Sequence, residues 1–282
     1  MFCKLESRAL LKISGADAES FLQAQLTNDI SLLQNKTIQL NAYCQHQGKI
    51  LALFWVMKVG RNFLLSFPID LLEKIHSRLK MFVIMSDVSI EDISSSYNQI
   101  GLINKSHQDS YKLNNSLSLL IDNSVYTNES LSQEWIKASI DCLLPEIFTA
   151  TSEKFVPQML NLDINEIGVN FSKGCYPGQE VVARLHYLGS AKRRLFSFKS
   201  NQEMLVGDSL YCASSKTALA RGDRYKGSGI IVSKVKYNSL FYCLATLDVD
   251  LMNEEITLNN EHGPKLEKIN DEENITTPYR LY

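Results

Sequence analysis

The chain predicts an α+β fold with two parts, a larger mixed domain over residues 1–192 and a small all-β domain over residues 193–282. Three observations carry this. Before Gly189, alternating apolar segments are joined by short turns and interrupted by only a few segments of helical period. After Gly189, helical periodicity fades and several alternating segments follow, separated by glycine and polar turns. The basic run Lys192-Arg193-Arg194 marks the change of character, so the boundary is placed there.

Taken in order, Arg8 to Ile13 reads as a strand. In "SGADAESFLQAQL", Ser14 stands three residues before Asp17, a helix-start pattern, and Ala18, Phe21, Leu22 and Leu26 follow at helical spacing. Leu40 to Cys44 and Lys49 to Met57 are strands, and a turn at Gly60 to Asn62 leads into a hairpin partner over Phe63 to Phe67. Ile69 to Met81 is an amphipathic helix with Leu72, Ile75, Leu79 and Phe82 on one stripe. Strands are expected at Val88 to Ile93, Ile100 to Ile103 and Leu117 to Ile121, with the polar "NKSHQDSYKLNN" as an exposed hairpin loop. Ser132 to Cys142 is helical, and the last domain shows strands at Arg194 to Lys199, Ser209 to Ala213, Gly229 to Tyr237 and Leu240 to Asp248.

Composition narrows the function. With 45% hydrophobic and 21% charged residues the chain is well supplied with core. Its net charge of -2, from 29 basic and 31 acidic residues, argues against a protein that coats nucleic acid, and no direct nucleic-acid binding is expected. The longest apolar run, Ile50 to Met57, is far short of the roughly 20 residues that span a bilayer, and the N-terminus lacks a signal-peptide pattern, so a cytoplasmic, membrane-free, monomeric protein is expected. Six widely separated cysteines without a C-x-x-C pair exclude a permanent cysteine-only metal site within the chain, and no resident metal is expected. His46 and His186 lack ligand-spaced partners and read as structural or solvent-facing.

The densest stretch is "FSKGCYPGQEVVARLHYLG", Phe171 to Gly189. Val181, Val182, Leu185 and Leu188 are spaced for a helix, and Pro177 suits a position at or before its first turn. Cys175 therefore precedes a helix N-terminus, where free N–H groups favour negative charge, with Lys173 two residues away. Both influences would lower the thiol pKa of an exposed Cys175. Its residue type leaves three roles open: nucleophile, metal ligand, or small residue in a tight turn.

"KGCYPGQEVVAR", preceded by "FVPQMLNLDINEIGVNF", resembles the signature of the YgfZ family, folate-binding proteins related to the glycine-cleavage aminomethyltransferase GcvT. "ISGADAESFLQAQLTNDI" and "CQHQGKILALFWV" resemble further segments of that family in the same order, from about Leu10 to the C-terminal domain. The resemblance implies a GcvT-like ring of α+β subdomains around a hole that binds tetrahydrofolate or a derivative, followed by a C-terminal β-barrel. It also implies support of the synthesis or repair of iron–sulfur enzymes, including tRNA-modifying ones. On this resemblance Cys175 is the motif cysteine, flanked by Lys173, Tyr176, Gln179 and Glu180, and Trp135 faces the folate. Arg8 stands where some relatives have an aromatic, and it could pair with the glutamyl carboxylate, while Glu180 could accept from the pterin.

One departure separates the two relatives. Where the aminomethyltransferase carries acids after a glycine turn, this chain has Gln47-Gly48-Lys49-Ile50-Leu51-Ala52. Loss of a general acid or base costs about 10²–10⁴ in rate. The expected role is therefore a folate-binding accessory protein more than an enzyme, and a folate-dependent one-carbon transferase using Glu180 is the alternative. One cysteine cannot hold a cluster alone, so any transient iron–sulfur cluster would be shared with iron–sulfur proteins or their assembly factors.

Overall fold

The computed structural model describes residues 1–84, 86–123, 132–214 and 228–269. The expected barrel stretch beyond residue 269 lies outside the described residues.

Two antiparallel sheets form the first part. The strands β1 (Phe2–Lys4) and β2 (Arg8–Ser14) are followed by helix α1 (Ala18–Gln25), then β3 (Gln39–Cys44), β4 (Ile50–Val59) and β5 (Asn62–Pro68). Helix α2 (Leu72–Lys80) precedes β6 (Ser89–Asp92), β7 (Asn98–Ile103), β8 (Tyr111–Lys112) and β9 (Leu117–Asp122). The larger sheet has the order β3-β4-β5-β2-β6 and the smaller β1-β7-β9-β8. The β4 run "ILALFWVM" is buried at every position because both faces of its sheet are covered, which explains its unbroken apolar sequence. Helix α1 packs on β5 and α2 on β6, burying Phe21, Leu22, Ile75 and Leu79.

Helix α3 (Ser132–Asp141) lies against β1 and β7 on one side and reaches the C-terminal strands β12 and β13 on the other. After helix α4 (Gln179–Leu188) the chain forms a closed barrel of β10 (Arg193–Ser200), β11 (Ser209–Tyr211), β12 (Gly229–Tyr237), β13 (Leu240–Asp248), β14 (Ile256–Leu258) and β15 (Lys265–Lys268), in the order β10-β13-β12-β11-β14-β15. Strand alternation sends Phe196 and Phe198 into the barrel, whereas Leu195, Val232, Val235 and Leu244 join the main core outside it. Among the described residues, no helix is long and apolar enough to cross a membrane.

Four short strands escape the sequence reading: β1, β8, β14 and β15. Each has at most four residues, too few for a period to show. The segment read as an exposed loop in fact supplies β8, which pairs with β9, while Lys112 exchanges backbone hydrogen bonds with the chain at Lys36 and Ile38. The expected stripe of α2 also ends early. Phe82 lies beyond the helix end at Lys80 and stays 43% exposed, with the Arg78 guanidinium 5.9 Å from its ring centre.

Candidate functional site

The motif loop is fastened from two sides before it reaches Cys175. Lys173 is buried, and its Nζ donates to the carbonyl oxygens of Gln23, Leu26 and Asn28 at 2.7, 2.6 and 2.9 Å. These lie at and just after the C-terminal end of α1, where carbonyls lack helical partners and favour a cation. Burial pulls the Lys173 amine down to about 8, with Asp29 opposing. The three N–H donors of Lys173 are therefore engaged by the end of α1.

The segment it grips is itself tied to the strands. Asn28 donates from Nδ2 to Leu40 and Ile167 carbonyls, both at 3.1 Å, and its backbone N–H donates to Asn41 Oδ1. Thr27 donates from Oγ1 to the Gly168 carbonyl at 2.6 Å and accepts from the Ala42 N–H. Thus "LTND" and "NLDINEIGVNFSKG", far apart in sequence, form one polar seam.

The second fastening is backbone against backbone. Gly178, at the start of α4, has φ 84°, and a Cβ there would lie 2.5 Å from the Gln45 carbonyl oxygen and 2.7 Å from Gly48 Cα. Only glycine fits. Gly48 closes the β3–β4 turn, its N–H donating to Gln45, so the cysteine loop sits directly on that hairpin. Gln158 adds a side-chain donor to the Val182 carbonyl at 2.7 Å.

Between these fastenings the thiol faces solvent. Cys175 is the exposed one of the six cysteines: Cys3, Cys44, Cys212 and Cys243 are buried and Cys142 is half-buried. Burial raises the thiol pKa of Cys44, Cys142, Cys212 and Cys243. Tyr176 turns inward, and burial first, then Cys44, raises its hydroxyl. Gln179 reaches back with long contacts of 3.4 Å to the Lys173 and Gly174 carbonyls, and Glu180 is exposed in the first turn of α4.

Arg8 and Trp135 form a second cluster on other elements. Trp135 is 3% exposed, with its ring 5.9 Å from that of Trp55 and tilted by 59°. A Cβ at Gly101 would fall 2.3 Å from the Trp135 ring, so that glycine makes room for the indole. Arg8 is buried, its guanidinium 3.5 Å from the centre of the Trp55 ring. It pairs with Glu146 through Nη1 and donates from Nε to Ser66 Oγ at 2.7 Å. Burial lowers the Arg8 pKa and Glu146 opposes this. Ser66 donates in turn to Gln99 Oε1, and Gln99 returns to the Arg8 carbonyl.

The motif residues therefore come together, and Arg8 meets Trp135 through Trp55. Sequence reasoning missed Trp55, Glu146, Asn28 and the pairing of Gly48 with Gly178. Trp55 lay hidden in an apolar strand, and Glu146 carries no local pattern. In the stretch Gln47 to Ala52, which lacks an acid, Ile50, Leu51 and Ala52 are buried in β4. Among the described residues, no group of three or more His, Cys, Asp or Glu is placed to hold a metal ion.

Comparisons with known proteins fit this layout. No family model matches the chain. A Haemophilus influenzae protein named only as uncharacterized is 32% identical over 267 residues, covering 90% of this chain and 91% of its own. The tRNA-modifying protein YgfZ of Colwellia psychrerythraea is 30% identical over 71% of this chain and 72% of its own, and that of Photorhabdus laumondii 28% identical over 83% and 80%. The glycine cleavage system aminomethyltransferase T of Bartonella henselae superposes with a TM-score of 0.63 over 99% of this chain and 87% of its own, at 11% identity, a likeness of fold alone. With both cluster geometry and sequence relatives in place, the chain belongs to the YgfZ family and carries the fold of the aminomethyltransferase.

Proposed function

We propose that the chain is a folate-binding accessory protein of tRNA modification, supporting the synthesis or repair of iron–sulfur enzymes through the thiol of Cys175. The observation that carries this reading is the contrast among the cysteines. One thiol is exposed, and the loop bearing it is held by a buried lysine and by a glycine–glycine contact. A loop with no task beyond connection does not need such anchoring. The names of the relatives supply the tRNA context. A single thiol offers one ligand or one redox equivalent, so the reading gives Cys175 a partner protein or small thiol to work with.

For the folate-type ligand, the residues fit in kind. Trp135 would present an indole face to a pterin or benzoyl ring. Arg8 Nη2, buried and without a hydrogen-bond partner among the described residues, would donate to a carboxylate. The ligand would supply a one-carbon unit or a reducing equivalent. As packed here the indole face rests on Trp55 and Gly101, so binding at this place requires Trp135 to move aside.

The test is complementation. In a strain lacking this protein, Cys175→Ala is expected to accumulate and fold like wild type yet leave iron–sulfur tRNA-modifying activity unrestored, read as modified nucleoside in digested tRNA. Full restoration by Cys175→Ala would end the proposal.

A further inference from the structure

Resting on that reading, the surface beside the thiol identifies what kind of partner approaches it. Helix α4 has the spacing of an amphipathic helix, but most of its apolar side is outside. Val182 is its one buried residue, whereas Val181 is 41%, Tyr187 65% and Leu188 83% exposed. Phe171, from the chain entering the motif loop, stacks flat on the exposed His186 ring at 3.7 Å between centres and 15° between planes. Tyr187 stands edge-on to both rings, at 6.1 and 4.8 Å. The loop that carries Cys175 thus begins and ends on one aromatic and aliphatic ledge, within the roughly 15 Å length of a ten-residue helix.

The rim of this ledge is basic although the whole chain is slightly acidic. Arg184 and Lys192 are exposed. Arg193 lies close enough to the half-buried Lys49 to oppose its charge, and Lys49 Nζ points to the Lys154 carbonyl at 3.4 Å. Arg194 is neutralised, clasping Asp163 at 2.5 and 3.0 Å. Over residues 179–192, then, the exposed Arg184 and Lys192 stand against the single acid Glu180.

We propose that the α4 ledge is the docking site for the partner of Cys175, and that this partner is a protein presenting an apolar stripe bordered by acidic side chains. Phe171 and His186 are stacked on each other, and the most exposed side chain of the ledge, Leu188, has no stacking face for a base, which favours a protein over single-stranded RNA. The basic rim sets the sign of the partner's border and speeds its approach. Docking on the outer face of α4 would bring the partner's sulfur, iron or thiol beside the exposed Cys175, four residues before that helix begins.

The test uses the full chain and three fluorescent probes: a helical peptide with a leucine stripe and glutamate borders, the same peptide with lysine borders, and a single-stranded RNA. Anisotropy should show binding of the glutamate peptide, weakened about tenfold or more by Leu188→Asp and by Arg184→Glu, and unchanged by Cys175→Ala. Equal binding of the lysine peptide, tighter binding of the RNA with a steep salt dependence, or indifference to Leu188→Asp would each overturn the proposal. Both positions are exposed, and matched thermal melts confirm that the variants fold. The same variants in the deletion strain separate the two readings. Restoration by Leu188→Asp removes the docking site and leaves the thiol's role intact, whereas restoration by Cys175→Ala removes the thiol's role and leaves the peptide result to judge the ledge.

Discussion

Two glycines three residues from the same cysteine, or nearer, make opposite demands. A methyl added at Gly174 would meet nothing within 4 Å, whereas one at Gly178 would be driven into the Gln45 carbonyl and the Gly48 backbone at positive φ. Gly178→Ala is therefore expected to destabilise the chain by about 2–4 kcal/mol, and Gly174→Ala by less than about 0.5 kcal/mol, read as shifts in urea midpoint. Equal effects would mean that the hairpin contact does not constrain the loop. From sequence, both glycines could be assigned to a ligand-facing loop, and nothing local told them apart. The difference lies in what Gly48 brings across from β3 and β4, and that is a tertiary fact. Lys173 teaches the same lesson, since its place two residues from Cys175 did not show that its donors go to the end of α1.

At the scale of elements, Lys173 joins α4's approach loop to the end of α1, and its protonation reports on the joint. Its amine titrates near 8 in the folded chain against an ordinary 10.5 when unfolded. Between those values the unfolded chain holds a proton that the folded chain has released, so the folded state gains stability as pH rises through the window. Lys173→Met lacks that gain and also leaves three carbonyls without their donor. The stability gap between wild type and Lys173→Met, from urea unfolding, is expected to widen from about pH 8 to about 10.5. A gap that stays flat or narrows would show that burial does not depress this amine. The long periodic elements were legible in the sequence: β4, α2 and β13 stand close to where their patterns put them. The strands of two to four residues were not, because their pairing comes from partners elsewhere and not from a pattern of their own.

Across the whole molecule, Trp135 marks the joint. Its ring meets Trp55 of the larger sheet and Gly101 of the smaller, on a helix that also packs on β12 and β13 of the barrel. A ligand that displaces it would be felt by all three parts. Titrating tetrahydrofolate while following tryptophan fluorescence, we expect Trp135→Leu to weaken binding about tenfold or more, Trp135→Phe to keep most of it, and Cys175→Ala to match wild type. Undiminished affinity in Trp135→Leu would move the ligand elsewhere. The sequence resemblance reached this tryptophan as a residue to watch, yet could not show that Trp55, itself covered by Arg8, already packs on it. Such crowding depends on volumes and angles between distant segments, which no single segment records.

The grip of Lys173 on Leu26 spans 147 positions of chain. During synthesis at about 5–20 residues per second, the carbonyls ending α1 are made roughly 7–30 s before their donor exists. The first sheet must therefore wait, half-fastened, for its clasp to be made, and a nascent chain halted before Lys173 would present that unfinished edge to chaperones and proteases.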